Sequence, residues 1–344
     1  MEQNNIRTDV NSLGEFGLID HLTNFFEIKQ PSTIKGIGDD AAVLEYGSMC
    51  TVVSTDLLVE GIHFDLAYVP LRHLGYKSVV VNVSDIYAMN AIPKHITVSI
   101  AISNRYSVES LEELYAGIHA ACAEYNVDLI GGDTTSCPKG MTISITAIGQ
   151  AEKNQIVYRN GAKPGDLICI SGDLGAAYLG LQILEREKRI WAEHPGVQPD
   201  LEGQKYIIGR QLKPEARKDV IETFRRIQLQ PTSMIDISDG LASELFHICK
   251  QSNVGALLEE DGVPIHPEAQ MMALQFKLDP ITCALSGGED YELLFTIDPS
   301  DIEKIKYLPE IYIAGEIIEK ENGIKLHTKG GNLHDIKAQG WQHF

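Results

Sequence analysis

In this chain, short apolar runs repeatedly close in small residues followed by an aspartate. The pattern reads Val52-Val53-Ser54-Thr55-Asp56, then Val81-Asn82-Val83-Ser84-Asp85, then Leu129-Ile130-Gly131-Gly132-Asp133, then Ile235-Asp236-Ile237-Ser238-Asp239-Gly240. Loops of related character are Gly36-Ile37-Gly38-Asp39-Asp40 and Ser286-Gly287-Gly288-Glu289-Asp290. Each apolar run reads as a strand that delivers a carboxylate at its end. Carboxylates at strand ends can converge on one cleft. Unneutralised, each pair at contact range would repel by about 4 kcal/mol at an effective dielectric near 20. Such a cluster must be spread out, protonated or filled with cations. Its donors are oxygens with no His or Cys beside them, which favours a hard ion such as magnesium. Magnesium completes its shell with water and substrate phosphates, and the flanking glycines let backbone N–H groups approach those phosphates. Asp and Gly also mark ordinary turns, but their recurrence after apolar runs favours the shared cleft.

The overall charge sharpens this expectation. Lys plus Arg is 29 against 48 Asp plus Glu, a net charge of -19. So acidic a surface repels nucleic acid and anionic membranes, so neither is expected as a partner. It also repels nucleotides, so a phosphate site here needs bound cations. The cysteines Cys50, Cys122, Cys137, Cys169, Cys249 and Cys283 form no C-x-x-C pair and read as free thiols in a reducing cytosol. The polar Met1–Val10 stretch has no export core, and no apolar run reaches spanning length. A cytoplasmic location is therefore expected.

A length of 344 residues favours two domains. Periodicity predicts a helix over 14–28, capped from Ser12, and strands at 50–54, 78–83 and 96–102. A helix over 108–125 and strands at 127–130 and 142–148 follow. The turn Asn160-Gly161-Ala162-Lys163-Pro164-Gly165-Asp166 opens a second unit. That unit reads as a strand (167–171), a helix (176–188), a charged stretch (185–205), a helix (214–226), a strand (233–237) and a helix (241–251). The expected domains are 1–150 and 151–344, both α/β.

Other phosphate motifs fail on context. Gly36-x-Gly38-x-x-Ala41 fits a loose dinucleotide fingerprint, but no strand precedes it and no crossover helix follows. There is no P-loop lysine and no protein-kinase catalytic loop. By spacing alone, His63 reads as a surface or structural histidine and Trp341 as a tail anchor.

Taken in order, the motifs resemble those of the thiamine-monophosphate kinase family within the AIR-synthetase-like superfamily. The resemblance rests on Gly14-Glu15-Phe16, Gly38-Asp39-Asp40-Ala41, Ser54-Thr55-Asp56, Gly61-Ile62-His63-Phe64, Asn82-Val83-Ser84-Asp85 and Gly131-Gly132-Asp133-Thr134. It continues through Gly161–Asp166, Asp236-Ile237-Ser238-Asp239-Gly240-Leu241, Ser286–Leu293 and Gly340-Trp341-Gln342-His343-Phe344. It implies an α/β (α+β), two-domain AIR-synthetase-like fold whose N-terminal strands build a dimer barrel. It also implies ATP-dependent phosphorylation of thiamine monophosphate to thiamine diphosphate, without a phosphoenzyme. Asp39, Asp56, Asp85, Asp133, Asp236 and Asp239 would hold several Mg2+ ions, helped by Ser54 or Thr55. Tyr115, Gly132, Asp133, Arg159 and Ser238 would touch ATP, and His63, Glu289 and Trp341 would face the thiamine substrate. No side chain is assigned a covalent or acid–base role, because phosphoryl transfer needs positioning and charge stabilisation above all. The stretch Arg186–Gly209 is longer than the family pattern. A purine-pathway cyclo-ligase and a non-catalytic nucleotide sensor are the competing readings.

Overall fold

The computed structural model describes residues 13–337. Ser12 and Trp341 lie outside the described residues. The chain forms two sheets. The first contains β1 (Thr33–Lys35), β2 (Ala42–Tyr46), β3 (Met49–Val59), β4 (Ile92–Ile102), β5 (Asp128–Ser136) and β6 (Met141–Glu152), in the order β1-β2-β3-β6-β4-β5. Its pairings are antiparallel except β4 with β5. The second contains β7 (Leu167–Ser171), β8 (Ser233–Ile237), β9 (Gly255–Glu259), β10 (Glu292–Ile297), β11 (Ile311–Ile318), β12 (Ile324–His327) and β13 (Leu333–Asp335), in the order β13-β12-β9-β11-β7-β10-β8.

The helices are α1 (Gly14–Thr23), α2 (Leu71–Ala88), α3 (Val108–Tyr125), α4 (Ala176–Glu193), α5 (Lys205–Leu212), α6 (Lys218–Ile227), α7 (Leu241–Ser252), α8 (Pro267–Gln275), α9 (Pro280–Ser286) and α10 (Ile302–Ile305). α3 begins at a Ser107–Ser110 capping box and ends on Asn126 in the left-handed region, so local signals fix both its ends. α4 runs on to Glu193, past the expected end at 188. The buried Glu187 accepts from the Asp200 N–H at 3.0 Å and from Arg186 Nε at 2.8 Å, which pins the return of the long 186–209 stretch.

One expectation is corrected outright. The run 78–83, expected as a strand, is the centre of α2. Every residue from Leu74 to Ser84 is buried, because α2 packs on β3, β6 and α3 and also meets β8 of the second sheet. Valine in a helix costs only a few tenths of a kcal/mol in propensity, whereas burying its side chain contributes about 1.5–3 kcal/mol. Burial wins, and a helix buried on all sides shows no amphipathic period to read.

The α2–α3 contact depends on glycine. A Cβ on Gly75 would lie 1.9 Å from the Leu114 carbonyl oxygen, and one on Gly117 would lie 1.9 Å from that of Arg72. The two backbones therefore touch directly.

Candidate active site

Where the two sheets meet, carboxylates from separate segments converge. Asp40 comes from the loop before β2, Asp85 from α2 and Asp236 from β8, and their oxygens lie within 4.8 Å of one another. Ser54 on β3 donates to Asp85, and Ser84 on α2 donates to Asp236 at 2.6 Å. Arg159 donates to the Asp40 carboxylate at 2.6 and 3.1 Å. The neighbouring Asp39, chosen from the sequence, is also buried but is bonded differently. It pairs with Lys35 at 3.3 Å and accepts the Arg159 backbone N–H at 3.2 Å.

Strand period sorts the β3 residues. Ser54 and Asp56 share the inward face, while the exposed Thr55 hydroxyl points the other way and donates to the Ile145 carbonyl at 3.0 Å. The Asp56 N–H is held by Asn82 Oδ1 at 2.9 Å. Asp56 lies within electrostatic reach of Asp239 and Glu15. The Asp239 N–H donates to the buried Glu244 at 2.8 Å.

Burial dominates the electrostatics, and mutual repulsion adds to it. Burial pushes Asp40 up to about 7 against the opposing pull of Arg159. Burial, then Asp239 and Glu15, push Asp56 up to about 6. Burial pushes Asp236 up to about 6 despite Ser84 and Arg159. Asp85 stands well above the usual carboxylate range through burial and the charges of Asp56, Asp236 and Asp40. Asp40 Oδ2 is buried and has no hydrogen-bond partner among the described residues. An all-oxygen set held at such repulsion, with an acceptor left over, fits a hard divalent cation.

A second feature lies on the first sheet. Val98, Tyr115, Leu129, Gly131, Gly132, Asp133 and Thr134 line an open cavity of about 350 Å³. Tyr115 reaches it from α3, and β5 supplies its floor. Gly132 is at φ +156°, and a Cβ there would lie 1.8 Å from the Val98 carbonyl oxygen, so β4 and β5 meet closely at this point. Asp133 lies here, opposite Ser99, and accepts the Thr134 N–H at 2.8 Å. Its strand is separated from β3 by β6 and β4, about 14 Å along the sheet. Asp133 is thus set apart from the Asp40–Asp85–Asp236 group.

His63 sits in the turn after β3, with Nδ1 accepting the Val59 N–H at 3.0 Å. Glu289 is in the left-handed region at φ +66°, and its N–H donates to the Ser238 carbonyl at 2.7 Å. Its carboxylate takes Lys77 Nζ at 2.6 Å and Gln211 Nε2 at 2.6 Å.

The sequence reading therefore brought together Asp85, Asp236, Asp56, Asp239 and Ser54. It missed Asp40 as a member of the close carboxylate group, and it missed Ser84, Glu244 and Lys77. A lone lysine inside the apolar run 74–83 was the available signal for Lys77.

Comparison with known proteins places the chain in a family. Residues 38–151 match the family described as AIR synthase related protein, N-terminal domain. The thiamine-monophosphate kinase of Aquifex aeolicus is 34% identical over 96% of this chain and 98% of its own. That of Bacillus subtilis is 34% identical over 96% of this chain and 100% of its own. A solved structure described as AaThiL complexed with AMPPCP and TMP superposes with a TM-score of 0.84 at 32% identity, covering 98% of this chain and 100% of that one. Hydrogenase maturation protein HypE in complex with ATP shares the fold, with a TM-score of 0.66 at 20% identity over 92% of this chain and 93% of that one. By this similarity over nearly its whole length the chain belongs to the thiamine-monophosphate kinase family.

Proposed function

We propose that the protein is an ATP-dependent kinase that transfers the γ-phosphoryl group of ATP to thiamine monophosphate, forming thiamine diphosphate. The observation that carries this reading is the convergence of Asp40, Asp85 and Asp236 within 4.8 Å at the junction of the sheets. On a chain of net charge -19, two anionic reactants can meet only where cations are held. Asp40, Asp56, Asp85, Asp236 and Asp239, with Ser54, would hold Mg2+. Asp39 and Asp133 would join from the flanks, whereas the Thr55 hydroxyl faces away. Bound Mg2+ supplies charge neutralisation for the transferring phosphoryl oxygens and a template for in-line displacement.

The chain's own groups do the positioning. Tyr115, Gly132 and Asp133 line the cavity offered to ATP, and Arg159 and Ser238 would meet ATP nearer the acidic group. Arg159 also keeps Asp40 oriented by two hydrogen bonds from its guanidinium. His63 and Glu289 would take the thiamine end, and Trp341 would contribute an indole suited to stacking on the cationic thiazolium. No covalent intermediate on the protein is required.

Two domains, 1–150 and 151–344, frame this cleft in our reading. β5 is an edge strand exposed along its whole length, with Leu129 at 45% and Ile130 at 56%. Proteins cover such edges, and a homodimer built on the first sheet would cover this one. The location is taken as cytoplasmic, and nucleic acid and membranes are not partners.

The test is product analysis. The purified protein with ATP, Mg2+ and thiamine monophosphate should yield thiamine diphosphate and ADP in equal amounts. Formation of ADP only with an aminoimidazole precursor, or ATP binding without turnover, would overturn the assignment.

A further inference from the structure

Glu289 is fixed from two directions. Its backbone is tied to the end of β8, because its N–H donates to the Ser238 carbonyl at 2.7 Å and the Tyr291 N–H donates to the Ile237 carbonyl at 2.9 Å. Gly288 packs so closely on that segment that a Cβ would lie 2.5 Å from the Ser238 oxygen. The carboxylate is held independently. Lys77 reaches Oε1 from α2, and Gln211 reaches Oε2 from α5, each at 2.6 Å. Lys77 also donates to the Gln211 carbonyl at 3.3 Å, which closes a three-membered network.

The burial pattern is uneven in a telling way. The Lys77 side chain is 6% exposed, while that of Glu289 is 29% exposed. Burying an ammonium is costly unless it is paired, so Lys77 is committed to Glu289 and has no open face to offer a ligand. Each carboxylate oxygen still has accepting capacity left after one hydrogen bond. The network therefore presents an aimed, partly open carboxylate.

α2 links this carboxylate to the acidic group. It carries Lys77 and Asp85 eight residues apart, about 12 Å along the axis. One rigid helix thus sets the distance from the anchored Glu289 to the carboxylates proposed to hold metal. The acceptor substrate is charged in the matching sense, anionic at its phosphate and cationic at its thiazolium.

We propose that Lys77, assisted by Gln211, is a positioning residue for the acceptor substrate, holding the Glu289 carboxylate at a fixed angle and distance for the cationic end of thiamine monophosphate. This rests on the reading that Glu289 faces that substrate. Lys77 and Gln211 touch the Glu289 carboxylate and none of the residues assigned to ATP, so the network is expected to act on the acceptor substrate alone.

The experiment is steady-state kinetics on the full-length protein, with both substrates varied and folding checked by thermal melting. Lys77→Met should raise the KM for thiamine monophosphate about 10-fold, equivalent to about 1.4 kcal/mol, with the KM for ATP unchanged. Lys77→Arg, which keeps a cation, should recover most of the loss. Combining Lys77→Met with Glu289→Gln should be no worse than Glu289→Gln alone, because the lysine acts through the carboxylate. If Glu289→Gln leaves the thiamine monophosphate KM untouched, the reading of Glu289 falls, and this proposal with it. If Glu289→Gln raises that KM and Lys77→Met does not, or if both substrates' KM values rise together, only the proposal falls. If Lys77→Met does not fold, Gln211→Met, which spares the charge pair, should raise the thiamine monophosphate KM about threefold without moving that for ATP. No change in that variant would overturn the role.

Discussion

The Ser84 hydroxyl donates to the Asp236 carboxylate at 2.6 Å, joining α2 to β8 across 152 positions of sequence. Both residues are buried. The bond favours the charged form of Asp236 where burial opposes it. Ser84→Ala should cost about 1 kcal/mol of stability. It should also raise the Mg2+ concentration needed for half-maximal activity by a few-fold, as loss of an outer partner does at metal sites. Thermal melts and a metal titration check both effects, and an unchanged Mg2+ dependence would argue that Ser84 only stitches the halves together.

Asp85 answers to burial and to three other carboxylates, offset by the Ser54 hydroxyl. Asp85→Asn removes a repelled charge and keeps an acceptor for Ser54. The metal-free protein should melt at the same temperature or higher, while turnover falls by about 100-fold or more. A variant both less stable and still active would remove Asp85 from the proposed metal set.

The acidic group also predicts a pH dependence of defined sign. Asp40 and Asp236 are pushed up to about 7 and about 6 from 3.8. Between roughly pH 4 and 7 the folded protein then holds protons that the unfolded chain has released. The stability these groups contribute is complete at the acid end and is lost as pH rises through that window. Mg2+ replaces those protons, so it should bind more tightly as pH rises. Melts in chelator and in Mg2+ should separate progressively between about pH 5 and 8. A constant separation would contradict the arrangement.

Gly132→Ala should be far more damaging than Gly131→Ala. The first would place a Cβ 1.8 Å from the Val98 oxygen, while the second meets nothing within 4 Å. Forcing β4 and β5 apart should cost about 1–3 kcal/mol. It should also raise the KM for ATP more than that for thiamine monophosphate, read from melts and initial rates.

Local signals carried much of the fold. Ser107 and Asn126 bracket α3 as the periodicity predicts, and 233–237 is a strand as expected. The valines of α2 misled because β-branched residues resemble a strand until burial from every side is known. That error also shifted the geometry of Asp85, which comes from a helix and not from a strand end. Among adjacent carboxylates, sequence does not say which joins the close group. Asp40 does so, gripped by the Arg159 guanidinium, a contact 119 positions away. Thr55 was misplaced for a simpler reason, since two-residue alternation puts it on the face opposite Ser54 and Asp56.

The glycine contact between α2 and α3 leaves no slack between those helices. Tyr115 stands two residues before Gly117 on one helix, and Asp85 lies ten residues after Gly75 on the other. The wall of the proposed nucleotide cavity and an aspartate of the acidic group therefore belong to a single stiff strut. Neither helix can slide or tilt on the other without a clash at Gly75 and Gly117.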